Sequence, residues 1–390
     1  MRRPRLVTLP PQTATRLIVK YNIDKLHITE SLTRLGGVEV LVRQLLHGDP
    51  GSHAASLLDA APTGIDKGAG LRPSKYAGAF LVRQNARARF VSARHLVFHN
   101  FAGLTMLSGA IPHERKSLFL HTNSPDVFAL LPERLPYLDT ILVSGCDLEN
   151  ELRAKFPDIR VPVTAIEYPL DDRYFSIQQR VLGNSLVLGY SGRLEFEQKQ
   201  VLRLVELCRI LASHSVPFTL EIAGSGNAMA ELRRQLPVAH CRFLGALDAS
   251  GLHAAYQRWD FLVCTSDYET GPLVALEAMA AGVIPILPDI PCQATALVAD
   301  LEFPLYPRGD MESAAQIIRK LAADPSSREL VTRLKARVSD RRLDRFVTRI
   351  DALLAESAAR PALGGTPPVP HGLAEFLPFS LRRSGNTYLR

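Results

Sequence analysis

Two glutamates that flank a predicted helix start are the side chains of this chain best placed to do chemistry. Glu269 and Glu277 stand eight positions apart in the segment DYETGPLVALEAMAAGVIPI, with Gly271 and Pro272 between them. Proline favours the first position of a helix, so the pattern predicts Glu269 just before a helix and Glu277 about two turns inside it. Free amides at a helix start suit a phosphate or a sugar hydroxyl. The alternative is an ordinary capped, buried helix with two surface glutamates.

A second segment supplies positive charge. In SGRLEFEQK, Arg193 follows the predicted strand Leu186–Tyr190, and Lys199 comes six residues later. Two cations after a strand can bind a diphosphate, because a guanidinium forks onto two oxygens. Surface ion pairs with Glu195 and Glu197 are the competing interpretation.

Three further loops follow predicted strands. Gly36 and Gly37 precede a predicted helix, and paired glycines let a backbone approach a ligand closely, although an ordinary tight turn has the same pattern. His121 ends an apolar run and could contact a ligand hydroxyl or be structural. The segment AGSGN is a weak match to a dinucleotide fingerprint, because Met229 occupies the place of the last glycine.

Composition narrows the class of protein. The chain has 390 residues, 46% hydrophobic and 22% charged, with no apolar run long enough for a signal peptide or a spanning helix. Its five scattered cysteines predict reduced thiols in the cytoplasm, and no spaced set of ligands predicts a metal site. The net charge of +7 falls mostly in the first half. Much of the excess positive charge lies in Arg83, Arg87, Arg89, Arg94, Arg115 and Lys116. Such a patch could meet anionic lipid heads, a phosphorylated acceptor or nucleic acid, or be a solvated face, and no known module favours nucleic acid.

Short apolar runs alternate with helical patterns along most of the chain, which predicts α/β layers with parallel sheets. Predicted strands of the first half are 26–30, 55–59, 95–99, 116–121, 140–144 and 163–167. Those of the second half are 186–190, 218–223, 242–244, 261–265 and 283–287. We expect two doubly wound, Rossmann-like domains facing a central cleft, with ligands at the carboxyl ends of the strands. The predicted domains are 1–172 for the acceptor and 173–360 for the nucleotide sugar, followed by a Pro/Gly linker and basic tail, 361–390, that could pack back on the first domain.

From about Leu26 to Leu353 the chain resembles the family 4 retaining glycosyltransferases, which have the GT-B fold. The resemblance is carried by ETGPLVALEAMAAGVIPI, which is similar to the family's Glu-x7-Glu signature, and by YSGRLEFEQKQ and LEIAGSGNAMAELRR. GGVE in the first half is similar to the family's glycine loop, and VSGCDLENELRAKF to the end of its N-terminal domain.

The resemblance implies a role for each matching position. Glu269 would hold hydroxyls of the donor sugar, and Glu277 the ribose of the nucleotide. Arg193 and Lys199 would neutralise the diphosphate, together with amides at Gly37 and around Leu273, and His121 would lie beside the sugar. The implied reaction is front-face transfer with retention, without a metal, in which the leaving phosphate helps to deprotonate the acceptor.

The sequence also departs from the family pattern. Five residues separate Arg193 from Lys199 where four are commoner, and Gly271 stands where the signature often has an aromatic residue. The segments DIPCQATALV and IEYPLDD lack glycine-containing elements that are usual there. These departures leave the identity of the donor open more than the reaction.

The expected function is transfer of a sugar from a UDP-sugar, or less commonly a GDP-sugar, to a lipid-linked acceptor in surface polysaccharide biosynthesis. The expected location is cytoplasmic, peripheral at the inner face of the membrane. One alternative is a catalytically silent scaffold that binds a sugar nucleotide, which the intact Arg193, Lys199, Glu269 and Glu277 disfavour. A Rossmann oxidoreductase is the other, and it depends on Gly224–Gly226 alone.

Overall fold

The computed structural model describes residues 21–33, 37–60, 67–72, 79–178, 183, 185–269, 271–363 and 365. Contacts between residues divide the chain into two compact units. The first comprises the described residues up to Leu118, with Arg134–Thr140 and those from Ser357 onward. The second comprises Phe119–Glu133 and Ile141–Glu356, so the predicted boundary at residue 172 lies inside it.

The first sheet has seven strands in the order β3-β2-β1-β4-β5-β6-β7. Its strands are β1 (Tyr21–Thr29), β2 (Ser52–Ala60), β3 (Gly68–Arg72), β4 (Phe90–His99), β5 (His113–Leu120), β6 (Thr140–Val143) and β7 (Val163–Ala165). Each of the six strands predicted for this half is confirmed, whereas β3 was not predicted. The strand β1 pairs in parallel with both β2 and β4.

The second sheet has five parallel strands in the order β10-β9-β8-β11-β12. They are β8 (Leu186–Ser191), β9 (Phe218–Ala223), β10 (Cys241–Gly245), β11 (Phe261–Val263) and β12 (Ile284–Ile286), and all five were predicted. From β8 the chain adds strands on one side and then returns to add β11 and β12 on the other. The strand order therefore reverses between β8 and β11, which is where doubly wound sheets bind ligands.

Helices connect the strands. Along the chain they are α1 (Gly37–Gly48), α2 (Ala79–Arg89), α3 (Leu104–Leu107), α4 (Pro125–Arg134), α5 (Cys146–Lys155), α6 (Asp172–Phe175), α7 (Arg203–Ser213), α8 (Met229–Gln235), α9 (Ala249–Tyr256), α10 (Leu273–Ala281), α11 (Gln293–Val298), α12 (Met311–Ala323), α13 (Ser327–Arg337) and α14 (Leu343–Ala359). None in the described part of the chain has the length and hydropathy to cross a membrane.

Most of the predicted basic surface in the first unit is hydrogen-bonded to the chain itself. Arg83 and Arg87 donate to the carbonyl of Gly109. Arg115 donates to the carbonyls of Ser357, Ala358 and Arg360, which follow the end of α14 or form its last turn. In the same unit the Lys116 ammonium donates to the carbonyl of Gly365. Arg115 and Lys116 therefore hold the end of the described chain against β5.

Trp259 lies in the core of the second unit and is 2% exposed. Its ring lies against Gly189 of β8, where an added Cβ would be 2.0 Å from Trp259 Cδ2. Trp259 Nε1 donates to Glu221 Oε2 at 3.0 Å, and Arg258 donates to the same oxygen at 2.9 Å. The buried carboxylate is thus both hydrogen-bonded and charge-paired, as a buried charge requires.

Replacement of Gly189 by alanine will destabilise the second unit, because the methyl group has no space beside the indole. We expect a loss of about 1–3 kcal/mol in the free energy of unfolding, the usual cost of overpacking a core. Chemical denaturation followed by Trp259 fluorescence measures it. Gly183→Ala is the matched control, because its Cβ would have no neighbour nearer than 3.9 Å. Equal stability of the two variants would contradict this packing.

Candidate functional site

The loops after β8 and β11 are joined to one another at the point where the strand order reverses. Thr265 Oγ1 donates to the Lys199 carbonyl at 2.6 Å, and the Asp267 amide donates to the Gln198 carbonyl at 2.9 Å. The Gln198 side chain in turn donates to the Tyr268 carbonyl at 3.1 Å. The cationic loop and the segment before the helix, which are about 70 residues apart in sequence, therefore form one structure.

An ion pair between Lys199 and Glu269 lies at the centre of this structure. Lys199 Nζ contacts Glu269 Oε1, and the two side chains are only 17% and 13% exposed. Ser266 Oγ donates to the same oxygen at 2.7 Å. Because the pair is mostly shielded from water, salt screens it less than a surface pair. The sequence pointed to both charged residues but missed Ser266, whose only signal was its place three residues before Glu269.

Arg193 lies on the same loop as Lys199, and its side chain is 63% exposed. Its guanidinium contacts Glu195 at 2.7 Å and Gln198 Oε1 at 2.8 Å. The predicted competing ion pair with Glu195 is therefore present. An exposed pair of this kind is weak, so an anion of higher charge can displace the carboxylate.

The AGSGN segment packs against the cationic loop. Gly224 and Gly226 have φ values of 144° and 159°, and Cβ atoms there would lie 1.9 Å and 2.1 Å from the carbonyl oxygens of Gly192 and Leu194. The Leu194 amide also donates to the Ser225 carbonyl at 2.9 Å. This close approach of two backbones accounts for both glycines without a dinucleotide.

Glu277 has a different environment from Glu269. Helix α10 begins at Leu273 with Pro272 as its N-cap, so Glu277 lies one turn inside the helix. The expectations of proline at the first helical position and of two turns were wrong, because Pro272, with φ −71° and ψ 85°, has a non-helical backbone and the helix begins one residue later. The Tyr256 hydroxyl donates to Glu277 Oε2 at 3.0 Å.

The pKa of Glu277 is raised to about 7. Burial is the largest cause and the negative charge of Asp171 adds to it, whereas the hydrogen bond from Tyr256 lowers the pKa. The interpretation of Glu269 and Glu277 as two surface glutamates is therefore wrong. One carboxylate is ion-paired, and the other is half-buried beside a tyrosine. Tyr256 carried no signal in the sequence, because it comes from the end of a different helix.

His121 follows the end of β5, as predicted, and is buried. Its Nδ1 is hydrogen-bonded to the Tyr168 hydroxyl, and its ring stacks on Phe119 with centroids 4.3 Å apart. Tyr168 was not predicted as a partner. The Tyr168 hydrogen bond and stacking on both Phe119 and Tyr168 thus hold the ring plane of His121.

The remaining predicted residues are placed as follows. Gly37 is the exposed first residue of α1 in the first unit, whereas Gly36 lies outside the described residues. Gly271 and Leu273 lie on either side of Pro272 in the second unit, and both are partly buried. Because Pro272 has no N–H, the first free amide of α10 is that of Leu273.

Residues 173–339 match the family model described as "Glycosyl transferases group 1". The match includes Arg193, Lys199, Glu269 and Glu277. This part of the chain is similar to the group 1 glycosyltransferases.

Two curated relatives are similar to parts of this chain. A glycogen synthase of Mycobacterium tuberculosis is 29% identical over 195 residues, which is 48% of this chain and 47% of the relative. A GDP-mannose-dependent alpha-mannosyltransferase of Mycolicibacterium smegmatis is 34% identical over 124 residues, 30% of this chain and 31% of the relative. The chain therefore matches at most about half the length of these relatives.

Solved structures of low sequence identity share the fold of this chain. HepE of Anabaena, in complex with UDP and glucose, has a TM-score of 0.68 at 16% identity, covering 86% of this chain and 100% of that one. Sucrose-phosphate synthase of Thermosynechococcus elongatus has a TM-score of 0.66 at 15% identity, covering 86% and 99%. The fold is GT-B, with two parallel sheets and interleaved helices, as expected from the sequence.

The raised pKa of Glu277 predicts a pH-dependent effect of the substitution Glu277→Gln. Between about pH 4.5 and pH 7, Glu277 holds a proton in the folded protein and releases it in the unfolded chain. The contribution of Glu277 to stability is therefore present below pH 4.5 and is lost as the pH rises to about 7. Glutamine cannot ionise. The free energy of unfolding of the variant, relative to that of the parent, should therefore be about 1–3 kcal/mol higher at pH 8 than at pH 5.

Urea denaturation at the two pH values measures this difference. Glu206→Gln, an exposed position on α7, is the control and should show the same difference from the parent at both. A Glu277→Gln variant whose stability relative to the parent does not change with pH would show that the carboxylate is not held in a desolvated site.

Proposed function

We propose that this chain is a retaining glycosyltransferase that moves a sugar from a nucleoside diphosphate sugar to a hydroxyl of a lipid-linked surface glycan at the inner face of the cell membrane. The observation that carries the proposal is the shielded Lys199–Glu269 ion pair at the switch point of the second sheet, with Arg193 on the same loop as Lys199. UDP is the first candidate nucleotide and GDP the second. The structure of HepE bound to UDP supports UDP, and the GDP-mannose-dependent relative supports GDP.

In the proposed complex the donor diphosphate competes with carboxylates for the two cations. Lys199 would leave Glu269 for a phosphate oxygen, and Arg193 would exchange Glu195 for another. Two positive charges held in place before the reaction stabilise the charge that develops on the leaving diphosphate. Glu269, released from the ammonium, then accepts hydrogen bonds from sugar hydroxyls, so binding of the diphosphate prepares the sugar site.

Glu277 takes the ribose in this proposal. A carboxylate accepts hydrogen bonds from two neighbouring hydroxyls, and Tyr256 already donates to one of its oxygens. A protonated Glu277 would lose acceptor capacity, so nucleotide binding should strengthen as pH rises through 7.

The proposed transfer takes place on one face of the sugar. The bond from the anomeric carbon to the phosphate oxygen breaks, and a bond from that carbon to the acceptor oxygen forms on the same face. The acceptor proton passes to the leaving phosphate, so no side-chain base is needed, and the two cations carry the charge stabilisation without a metal. His121, oriented by Tyr168 and Phe119, would contact the sugar.

The test is turnover of UDP-glucose, UDP-galactose, UDP-N-acetylglucosamine and GDP-mannose by the full chain, followed by release of nucleoside diphosphate with and without a lipid-linked glycan acceptor. We expect one donor to be used and its nucleotide to raise the melting temperature, because a ligand of the folded state stabilises it. The anomeric configuration of the product, measured by NMR, should equal that of the donor.

Glu269→Gln should lower turnover about 100-fold, with nucleotide affinity within a few-fold of the parent, because a charged sugar contact is lost while the ribose site stays intact. Glu329→Gln, exposed on α13, is the control. Nucleotide binding without turnover of any donor would favour the silent scaffold. Inversion of configuration would exclude the retaining mechanism.

A further inference from the structure

The Gln293 side chain is wedged between two glycines of the second unit. A Cβ on Gly271 would lie 3.2 Å from Gln293 Oε1, and a Cβ on Gly145 would lie 1.9 Å from Gln293 Nε2. Gly145 also has a φ of +104°, which favours glycine. The carboxamide, 5% exposed, thus fills space that side chains at positions 145 and 271 would need.

Both ends of this carboxamide are held. Gln293 Nε2 donates to the Ser144 carbonyl at 2.8 Å, and Arg341 donates to Oε1 at 3.4 Å. Arg341 is itself buried and ion-paired with Glu167 at 2.8 Å. A charged donor and a backbone acceptor therefore fix which way the amide points.

The backbone that carries Gln293 is also fixed. Gln293 is the first residue of α11, and Cys292 before it donates its amide to Thr295 Oγ1 at 3.1 Å. The same hydroxyl contacts the Ile290 carbonyl at 2.8 Å. A capped helix start leaves the side chain little freedom to move away from Gly271.

We propose that Gln293 is a positioning residue that determines the shape of the donor-sugar pocket through its contact with Gly271. The inference depends on the function proposed above, since Gly271 is two residues after Glu269, the proposed sugar ligand. The carboxamide lies against Gly271 and fills the space that a larger residue at position 271 would need. Glu277, within α10, is held separately by Tyr256, so Gln293 acts on the sugar and not on the ribose.

The first test separates sugar use from nucleotide binding. Gln293→Met keeps the length of the side chain and removes both hydrogen bonds. We expect kcat/KM for the donor to fall about tenfold or more, as expected for loss of one transition-state contact, while Kd for UDP or GDP stays within about twofold. Gln316→Met, exposed on α12, is the control. An unchanged kcat/KM, or a parallel loss of nucleotide affinity, would overturn the proposal.

The second test is a cycle of Gly271→Ala, Gln293→Ala and the double variant, which also covers the case in which Gln293→Met does not fold. Gly271→Ala should lower kcat/KM when Gln293 is present. In the Gln293→Ala background the same substitution should lower kcat/KM by a factor at least about threefold smaller, because contacting residues couple. Additive effects would overturn the contact. A parent that binds no nucleotide and uses no donor refutes the proposed function itself. A normal parent with unaffected or additive variants refutes only the role of Gln293.

Discussion

The ion pair between Lys199 and Glu269 is the constraint on which the rest of the second unit depends. It joins two loops that follow neighbouring parallel strands, β8 and β11, and hydrogen bonds from Thr265 and Asp267 hold those loops together. A mostly shielded pair is costly to break without a replacement partner, because each charge would be left desolvated. A diphosphate and a sugar hydroxyl are replacements of matching charge and polarity. In the proposed complex a donor would exchange these contacts for its own.

The two glutamates show how the same residue type acquires different properties a few residues apart. One oxygen of Glu269 contacts both the Lys199 ammonium and the Ser266 hydroxyl. Glu277 has a single tyrosine donor and a desolvated position, so its pKa rises to about 7. The first carboxylate depends on a cation from another loop, and the second titrates near neutral pH. Both properties come from neighbours that are distant in sequence.

The elements that position the site could be predicted where their sequence pattern is strong. The buried runs of β8 and β9 and the length of α10 follow from apolar spacing, and the structure confirms them. The strand β3 could not be predicted, because GAGLR has two glycines and no alternation. It forms by hydrogen bonding to β2, so its conformation depends on a partner strand and not on its own residues.

The sequence by itself determined the resemblance to a glycosyltransferase family, the alternating order of strands and helices, and the four charged residues that could serve a sugar nucleotide, because residue type and local spacing carry those signals. Only the tertiary structure decided their partners. Ser266 and Lys199 meet at Glu269, Tyr256 reaches Glu277, and Gln293 fills the space beside Gly271. Burial and hydrogen-bond pairing depend on which strands and helices become neighbours, and that arrangement has no local signature in the chain.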